Sequence, residues 1–109
     1  MARELRSKSF DEKVWLKLKE IPYGRVTTYK AIAIALGKPN AARAVGNACR
    51  KNPSAPDVPC HRVVKSNGGL GGYAKGPKRK KLLLQSEGVE IKNGVVENFY
   101  KILLKPRHI

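Results

Sequence analysis

Apolar residues recur at helical spacing from Phe10 onward. Val14, Leu18 and Ile21 follow on one face, with Trp15 beside them. Ser9 stands just before this run and Glu12 three residues later, the reciprocal pair that closes a helix N-terminus. Pro22 has no amide hydrogen to give and stops the helix at Ile21. The pattern predicts a first helix whose apolar face is core. Residues 1–8 ahead of it are polar and basic and read as a loose or edge segment. Tyr23-Gly24-Arg25 reads as a turn, and Val26 either starts a short strand or enters the next element. Thr27 or Thr28 caps a second helix that runs to about Leu36, is buried through Ile32 and Leu36, and has Gly37 past its end. After Lys38-Pro39, Asn40 is placed to cap a third helix from 41 to about 50. Two short helices joined by a tight turn containing glycine form the helix-turn-helix pattern.

The third helix is apolar along Ala41, Ala44, Val45, Ala48 and Cys49, while Arg43, Asn47 and Arg50 fall at i, i+4 and i+7 on another side. Gly46 in its interior costs about 1 kcal/mol relative to alanine. It marks a close backbone approach, by the neighbouring helix or by nucleic acid. Asn52-Pro53 ends the helix, and a proline-studded loop leads to Cys60. Val63-Val64 is a short strand and Ser66-Asn67-Gly68-Gly69 a turn. The glycine-rich stretch 70–76 lacks the GxxxxGK[ST] phosphate loop and reads as a mobile or pocket-lining loop. Pro77 opens a fourth helix that carries Leu82, Leu83 and Leu84, exposes Lys78, Arg79, Lys80 and Lys81, and ends near Glu87-Gly88. Asn93-Gly94 between Ile91 and Val95 suggests a small hairpin. A last short helix is expected before Pro106. The class is mainly α with short β hairpins, a winged-helix-like helix-turn-helix domain without internal repeats.

Composition narrows this. A chain of 109 residues is one domain. No apolar run approaches the roughly 20 residues of a membrane span, and residues 1–6 lack the apolar centre of a signal peptide. Two cysteines make no disulfide framework, so a reducing, cytoplasmic setting is expected. Lys plus Arg number 23 against 8 Asp plus Glu, a net charge of +15. Lysine enrichment for heat tolerance would build ion pairs and so raise both signs. The one-sided excess points to a polyanion, most often nucleic acid.

Candidate chemistry centres on Pro59-Cys60-His61-Arg62-Val63. A thiol attacks only as its thiolate, and a histidine is the usual acceptor of its proton. Pro53, Pro56 and Pro59 stiffen the approach. If the segment is extended, neighbouring side chains point to opposite faces, so His61 would serve Cys60 through a relay such as a water. The other reading is that Cys60 is a small buried hydrophobe with a histidine beside it by accident. Cys49, on an apolar helix side, reads as structural. No Cys/His cluster has the spacing of a zinc site, and no metal or cofactor is expected.

The Cys60 motif, Ala42-Arg43-Ala44-Val45-Gly46, Asn52-Pro53, the run from Val26 to Tyr29, Gly72-Tyr73 and Glu87-Gly88 together resemble the C-terminal, active-site domain of O6-alkylguanine-DNA alkyltransferases (methylated-DNA--protein-cysteine methyltransferases). The likeness runs from about residue 9 to 92. It implies a DNA repair protein, acting as a monomer on double-stranded DNA with no membrane partner. Such a protein flips O6-alkylguanine out of the duplex and transfers the alkyl group irreversibly to Cys60, so each molecule acts once. Extrusion is required because an alkyl carbon inside the base stack is out of reach. By this resemblance His61 deprotonates Cys60 through a water, Glu87 orients His61, and Asn52 holds the turn that places Cys60. Arg43 fills the gap left by the flipped base, and Tyr29 helps rotate the phosphate. The third helix, with Ala42, Gly46 and Asn47, enters the minor groove, and Thr28 adds a DNA contact. Val63, Tyr73, Ala74 and Lys75 line the pocket. Many members carry a small residue where Lys75 stands, and the family's N-terminal domain has no counterpart here. Two alternatives belong to other classes: an alkyltransferase-like protein that binds damaged DNA without repair, a group that typically lacks the acceptor cysteine, and a winged-helix transcription regulator.

Overall fold

A computed structural model describes residues 8–109; the segment 1–7 and its expected loose structure lie outside the described residues. Helix α1 (Phe10–Leu18) begins with the expected reciprocal cap: Ser9 Oγ accepts from the Glu12 amide at 3.1 Å, and the Ser9 amide donates to the Glu12 carboxylate at 3.3 Å. It stops three residues before the expected end, because Glu20 and Ile21 donate to carbonyls three residues back and tighten the last turn. Ile21 is nonetheless buried with Val14 and Leu18.

Strand β1 (Thr27–Thr28) leads into α2 (Tyr29–Ala35), and Thr28 is the cap, its hydroxyl accepting from the Ala31 amide at 3.0 Å. Gly37 adopts φ +75°, the left-handed conformation that ends a helix most cheaply with glycine. Helix α3 (Ala42–Arg50) corrects one expectation. Asn40 does not cap it; the boundary residue is Ala41, which has no side-chain oxygen to offer. The reason is a turn in which the Ala41 amide donates to Lys38, so the chain enters the helix one residue later. The α2–α3 pair packs on α1 through Val14, Leu18, Ile32, Ala33, Val45 and Ala48. The Trp15 indole donates to the Ala48 carbonyl at 2.9 Å and ties α1 to α3.

Strand β2 (Val63–Val64) pairs with β1 in parallel, Thr27 opposite Val63, where only hairpins were expected. Parallel partners need a long crossover, and α2, α3 and the proline loop supply it. This pairing fixes the Cys60 motif, which directly precedes β2, against the start of the helix pair. Helix α4 (Pro77–Ser86) has Pro77 in its first turn and closes a second core of Val26, Val64, Leu84, Val89, Val96 and Phe99. Leu84 is fully buried while Leu82 is exposed. Lys80 corrects the expected exposed basic face of this helix: it is 0% exposed. It lies four residues before Leu84 and so shares its inward face. Strands β3 (Ile91–Lys92) and β4 (Val95–Val96) form the expected hairpin, with Asn93 and Gly94 both at positive φ. Helix α5 (Phe99–Ile102) follows, and a 3₁₀ turn, Pro106–His108, packs on α2. The architecture is mainly helical with short strands, built on a helix-turn-helix pair.

Candidate functional site

The proline loop delivers Cys60 to a rigid seat. Asn52 Nδ2 donates to the Val58 carbonyl at 2.7 Å and its Oδ1 accepts from Ser54 at 3.0 Å, closing the loop on itself. The Cys60 amide donates to the same Val58 carbonyl at 2.9 Å. Residues Cys60–Arg62 form a 3₁₀ turn, not the extended segment assumed from sequence. Three residues per turn still send Cys60 and His61 in different directions, and no direct hydrogen bond joins them. The separation stands, on a different geometry.

The sulfur is free and only 3% exposed, yet it faces a cavity of about 610 Å³. Tyr29, Ala42, Arg43, Gly46 and Asn47 wall it from the helix pair, and Tyr73 and Ala74 from the glycine-rich loop. An added Cβ at Gly46 would meet only the Tyr29 ring, at 3.9 Å, an ordinary contact. The neighbouring helix therefore does not require this glycine; its open side is the cavity. At Gly71, φ +74° and a Tyr29 hydroxyl 3.1 Å from an added Cβ make glycine necessary. Three of the expected site residues are not part of the cavity lining, although the Lys75 charge still favours the Cys60 thiolate. Thr28 spends its hydroxyl on the α2 cap, Val63 is fully buried in the core, and Lys75 donates to the Ala55 carbonyl at 2.8 Å on the surface. Cys49, expected as structural, is buried but also borders the cavity.

Behind Cys60 lies a buried charged cluster. His61 Nε2 is 2.8 Å from Glu87 Oε2, with the two side chains 2% and 6% exposed. Glu87 also accepts from Arg62 Nε at 2.9 Å, Arg62 Nη2 at 2.8 Å and the Gly24 amide at 3.2 Å. Burial pushes its carboxyl up, but these donors outweigh burial and hold it below the usual carboxylate range. A carboxylate only accepts, so the proton between the pair sits on Nε2 and leaves Nδ1 with a lone pair. Nδ1 is buried without a protein partner. Burial holds the imidazole below its usual range, against the pull of Glu87. Burial likewise raises the Cys60 thiol, opposed by Asn52 and Lys80. At neutral pH the pair is thus a thiol beside a neutral base.

Lys80 underlies the same cavity. Its Nζ donates to the Val63 carbonyl at 2.7 Å, the Gly72 carbonyl at 3.1 Å and the Tyr29 hydroxyl at 3.3 Å. Burial lowers it from 10.5 to about 8 and raises Tyr29 to about 12. Arg62 and Lys80 are the two site residues that sequence reasoning missed. Lys80 had a usable signal, its four-residue spacing to Leu84. Arg62 had only its place in the motif.

The lowered Lys80 has a consequence for stability. Between about pH 8 and 10.5 unfolded chains hold a proton that the folded state has lost, so folding gains as pH rises. Cys49, raised from 9 to about 12, acts oppositely above pH 9. From pH 8 to 9, urea unfolding is expected to show stability changing by roughly 1 kcal/mol more favourably in the native protein than in Lys80→Met. The raised Cys49 and Cys60 thiols pull the other way in both proteins and largely cancel in the comparison; equal slopes would remove Lys80 as the source.

Residues 9–89 match the family described as 6-O-methylguanine DNA methyltransferase, DNA binding domain. The methylated-DNA--protein-cysteine methyltransferase of Methanosarcina barkeri is 54% identical over 78 residues, 72% of this chain and 49% of that protein. The structure of Mycobacterium tuberculosis OGT in complex with DNA aligns with a TM-score of 0.72 at 49% identity, over 75% of this chain and 51% of that one. S. pombe Atl1 in complex with damaged DNA containing O6-carboxymethylguanine aligns with a TM-score of 0.78 at 38% identity, over 89% of this chain and 95% of that one. The chain spans about half the length of the curated relatives it matches.

Proposed function

Because the chain belongs to the 6-O-methylguanine DNA methyltransferase family, matching its DNA binding domain over residues 9–89, we propose that this one domain also carries the chemistry and repairs O6-alkylguanine in duplex DNA by taking the alkyl group onto Cys60. One observation carries the reading: a free sulfur faces a cavity walled by the helix-turn-helix pair, with a buried imidazole–carboxylate pair behind it. The extruded base enters the cavity. The Cys60 proton passes to His61 Nδ1 across a bridging water, and the thiolate attacks the alkyl carbon. A sulfur–carbon bond forms as the carbon–O6 bond breaks, and guanine leaves with the electron pair and takes a proton. Tyr29 lines the cavity, and its hydroxyl, hydrogen-bonded by Lys80, can supply that proton. The thioether is stable to water, so the reaction consumes one protein per lesion. Asn52 keeps the turn in place, and Glu87 keeps Nδ1 free to accept. The +15 charge draws the protein to DNA, and free thiols fit a reducing compartment such as the cytoplasm.

The test is mass spectrometry after incubation with a duplex containing O6-methylguanine. One methyl on Cys60 at unit stoichiometry is expected; an unmodified protein, or label on Cys49, would defeat the proposal. A second reading, binding of damaged DNA without transfer, is supported by the likeness to Atl1 along nearly its whole length. Unmodified protein that still holds the damaged duplex would favour it.

Arg43 is exposed on α3 at the cavity rim, placed to occupy the space an extruded base leaves. In Arg43→Ala, repair of duplex should slow on the order of a hundredfold while reaction with the free modified base changes little. Equal losses on both substrates would remove Arg43 from extrusion.

A further inference from the structure

The guanidinium of Arg62 does more than balance a charge. Its Nε and Nη2 grip both oxygens of Glu87, while Nη1 donates to the Ile21 carbonyl at 2.7 Å beyond the end of α1. Its plane carbon lies 5.8 Å from the centre of the Tyr23 ring, and the Tyr23 hydroxyl donates to the Ser86 carbonyl at 2.7 Å. Ser86 and Glu87 are the last residue of α4 and the one after it. The end of α1, the turn at Tyr23-Gly24 and the end of α4 therefore meet on one planar cation. Oε2 of Glu87 receives Arg62 Nη2 and His61 Nε2 at the same 2.8 Å. Resting on the function proposed above, we propose that Arg62 is a positioning residue: it fixes the Glu87 carboxylate in the one orientation that serves His61, and so decides which imidazole nitrogen is left to take the Cys60 proton.

Only a fork can do this. Lysine would keep the charge but could not grip two oxygens and the Ile21 carbonyl in one plane. Sharing Glu87 also limits how strongly that carboxylate favours imidazolium. The other groups near His61 are Cys60, Lys80 and the Tyr73 ring, edge-on at 6.4 Å. Lys80 pushes the imidazole in the same direction as Arg62. Lys80 is unchanged in an Arg62 variant, but the Arg62 charge also lowers the imidazole directly, so the shift in Arg62→Lys, which keeps the charge, is the one that reports the clamp.

The experiment compares the native protein with Arg62→Lys and Arg62→Gln. Two quantities are read: the His61 titration by NMR, and the pH profile of Cys60 alkylation by iodoacetamide. The expected result is an upward move of the His61 midpoint and of the acid limb by about one pH unit, with the plateau rate down on the order of tenfold. In a Glu87→Gln background the Arg62→Lys effect should disappear. Folded Arg62 variants with native titration and rate profile would overturn the proposal. If neither variant folds, Tyr23→Leu decides, a smaller shift in the same direction being expected and none overturning it. His61→Asn separates the layers. If it leaves Cys60 alkylation untouched, the role given to His61 fails and this inference with it; if it slows alkylation and the Arg62 variants do not, only the clamp fails.

Discussion

Cys60→Ala is expected to transfer no alkyl group at all while binding duplex DNA nearly as tightly as the native protein. The loss is total because no other cavity residue can replace the thiol. Attack at an alkyl carbon calls for a soft nucleophile that ionises near neutral pH. Burial raises both thiols, but at Cys60 it is opposed by Asn52 and Lys80 and His61 is next in the chain, whereas Cys49, which borders the same cavity, is pushed up to about 12 and stays protonated. The binding survives because removing one sulfur changes no charge at the surface, and affinity for a polyanion comes mainly from phosphate contacts. Gel shifts and transfer assays on the same damaged duplex check both halves. Residual transfer in Cys60→Ala would mean another acceptor. Binding lost along with transfer would mean the sulfur supports the interface.

Glu87→Gln should act on both rate and stability. The amide can accept with its oxygen, but its NH₂ donates, and Arg62, Gly24 and His61 all now point donors at it. To meet the amide NH₂, His61 must expose a lone pair at Nε2 and carry its proton on Nδ1, the nitrogen that has to accept. Cys60 alkylation near neutral pH should fall roughly a hundredfold or more. The Arg62 guanidinium, 15% exposed, also loses its carboxylate, costing about 3 kcal/mol. The Glu87 carboxyl sits below its ordinary 4.5 in the folded state, so its contribution is complete above that pH and is lost on acidification. The stability gap between native protein and Glu87→Gln should therefore close below about pH 4.5. A full gap at pH 3, or an unchanged alkylation rate at pH 7, would make Glu87 a simple helix-end contact.

Much of this was legible in the chain. The Ser9–Glu12 cap, the Thr28 cap, the Gly37 stop and the Asn93-Gly94 turn are local: each depends on a few neighbouring residues whose chemistry admits one conformation. Cys60, His61 and Glu87 were named together through a family resemblance, and the fold brings His61 and Glu87 into contact. Non-local features were not. The β1–β2 pairing joins residues far apart in sequence, and nothing in two threonines or two valines names a partner. Lys80 was assigned to solvent because lysines on a basic helix usually belong there; three oxygen acceptors, from Val63, Gly72 and Tyr29, override that preference. Arg62 was read as part of a signature, but its role depends on Ile21, Tyr23 and Glu87 coming together from three elements. Thr28 and Val63 were assigned from where they sit in the likeness; the fold uses the Thr28 hydroxyl for a helix cap and buries Val63 in the core.

The indole bond from Trp15 to the Ala48 carbonyl gives the protein a built-in optical reporter. Trp15 is the sole tryptophan, so every photon emitted on excitation at its red edge comes from a ring anchored to the backbone of α3. Any tilt of that helix changes the ring's polarity and quenching environment. Mixing with a duplex can therefore be followed in real time on unlabelled protein, with no label introduced near the cavity.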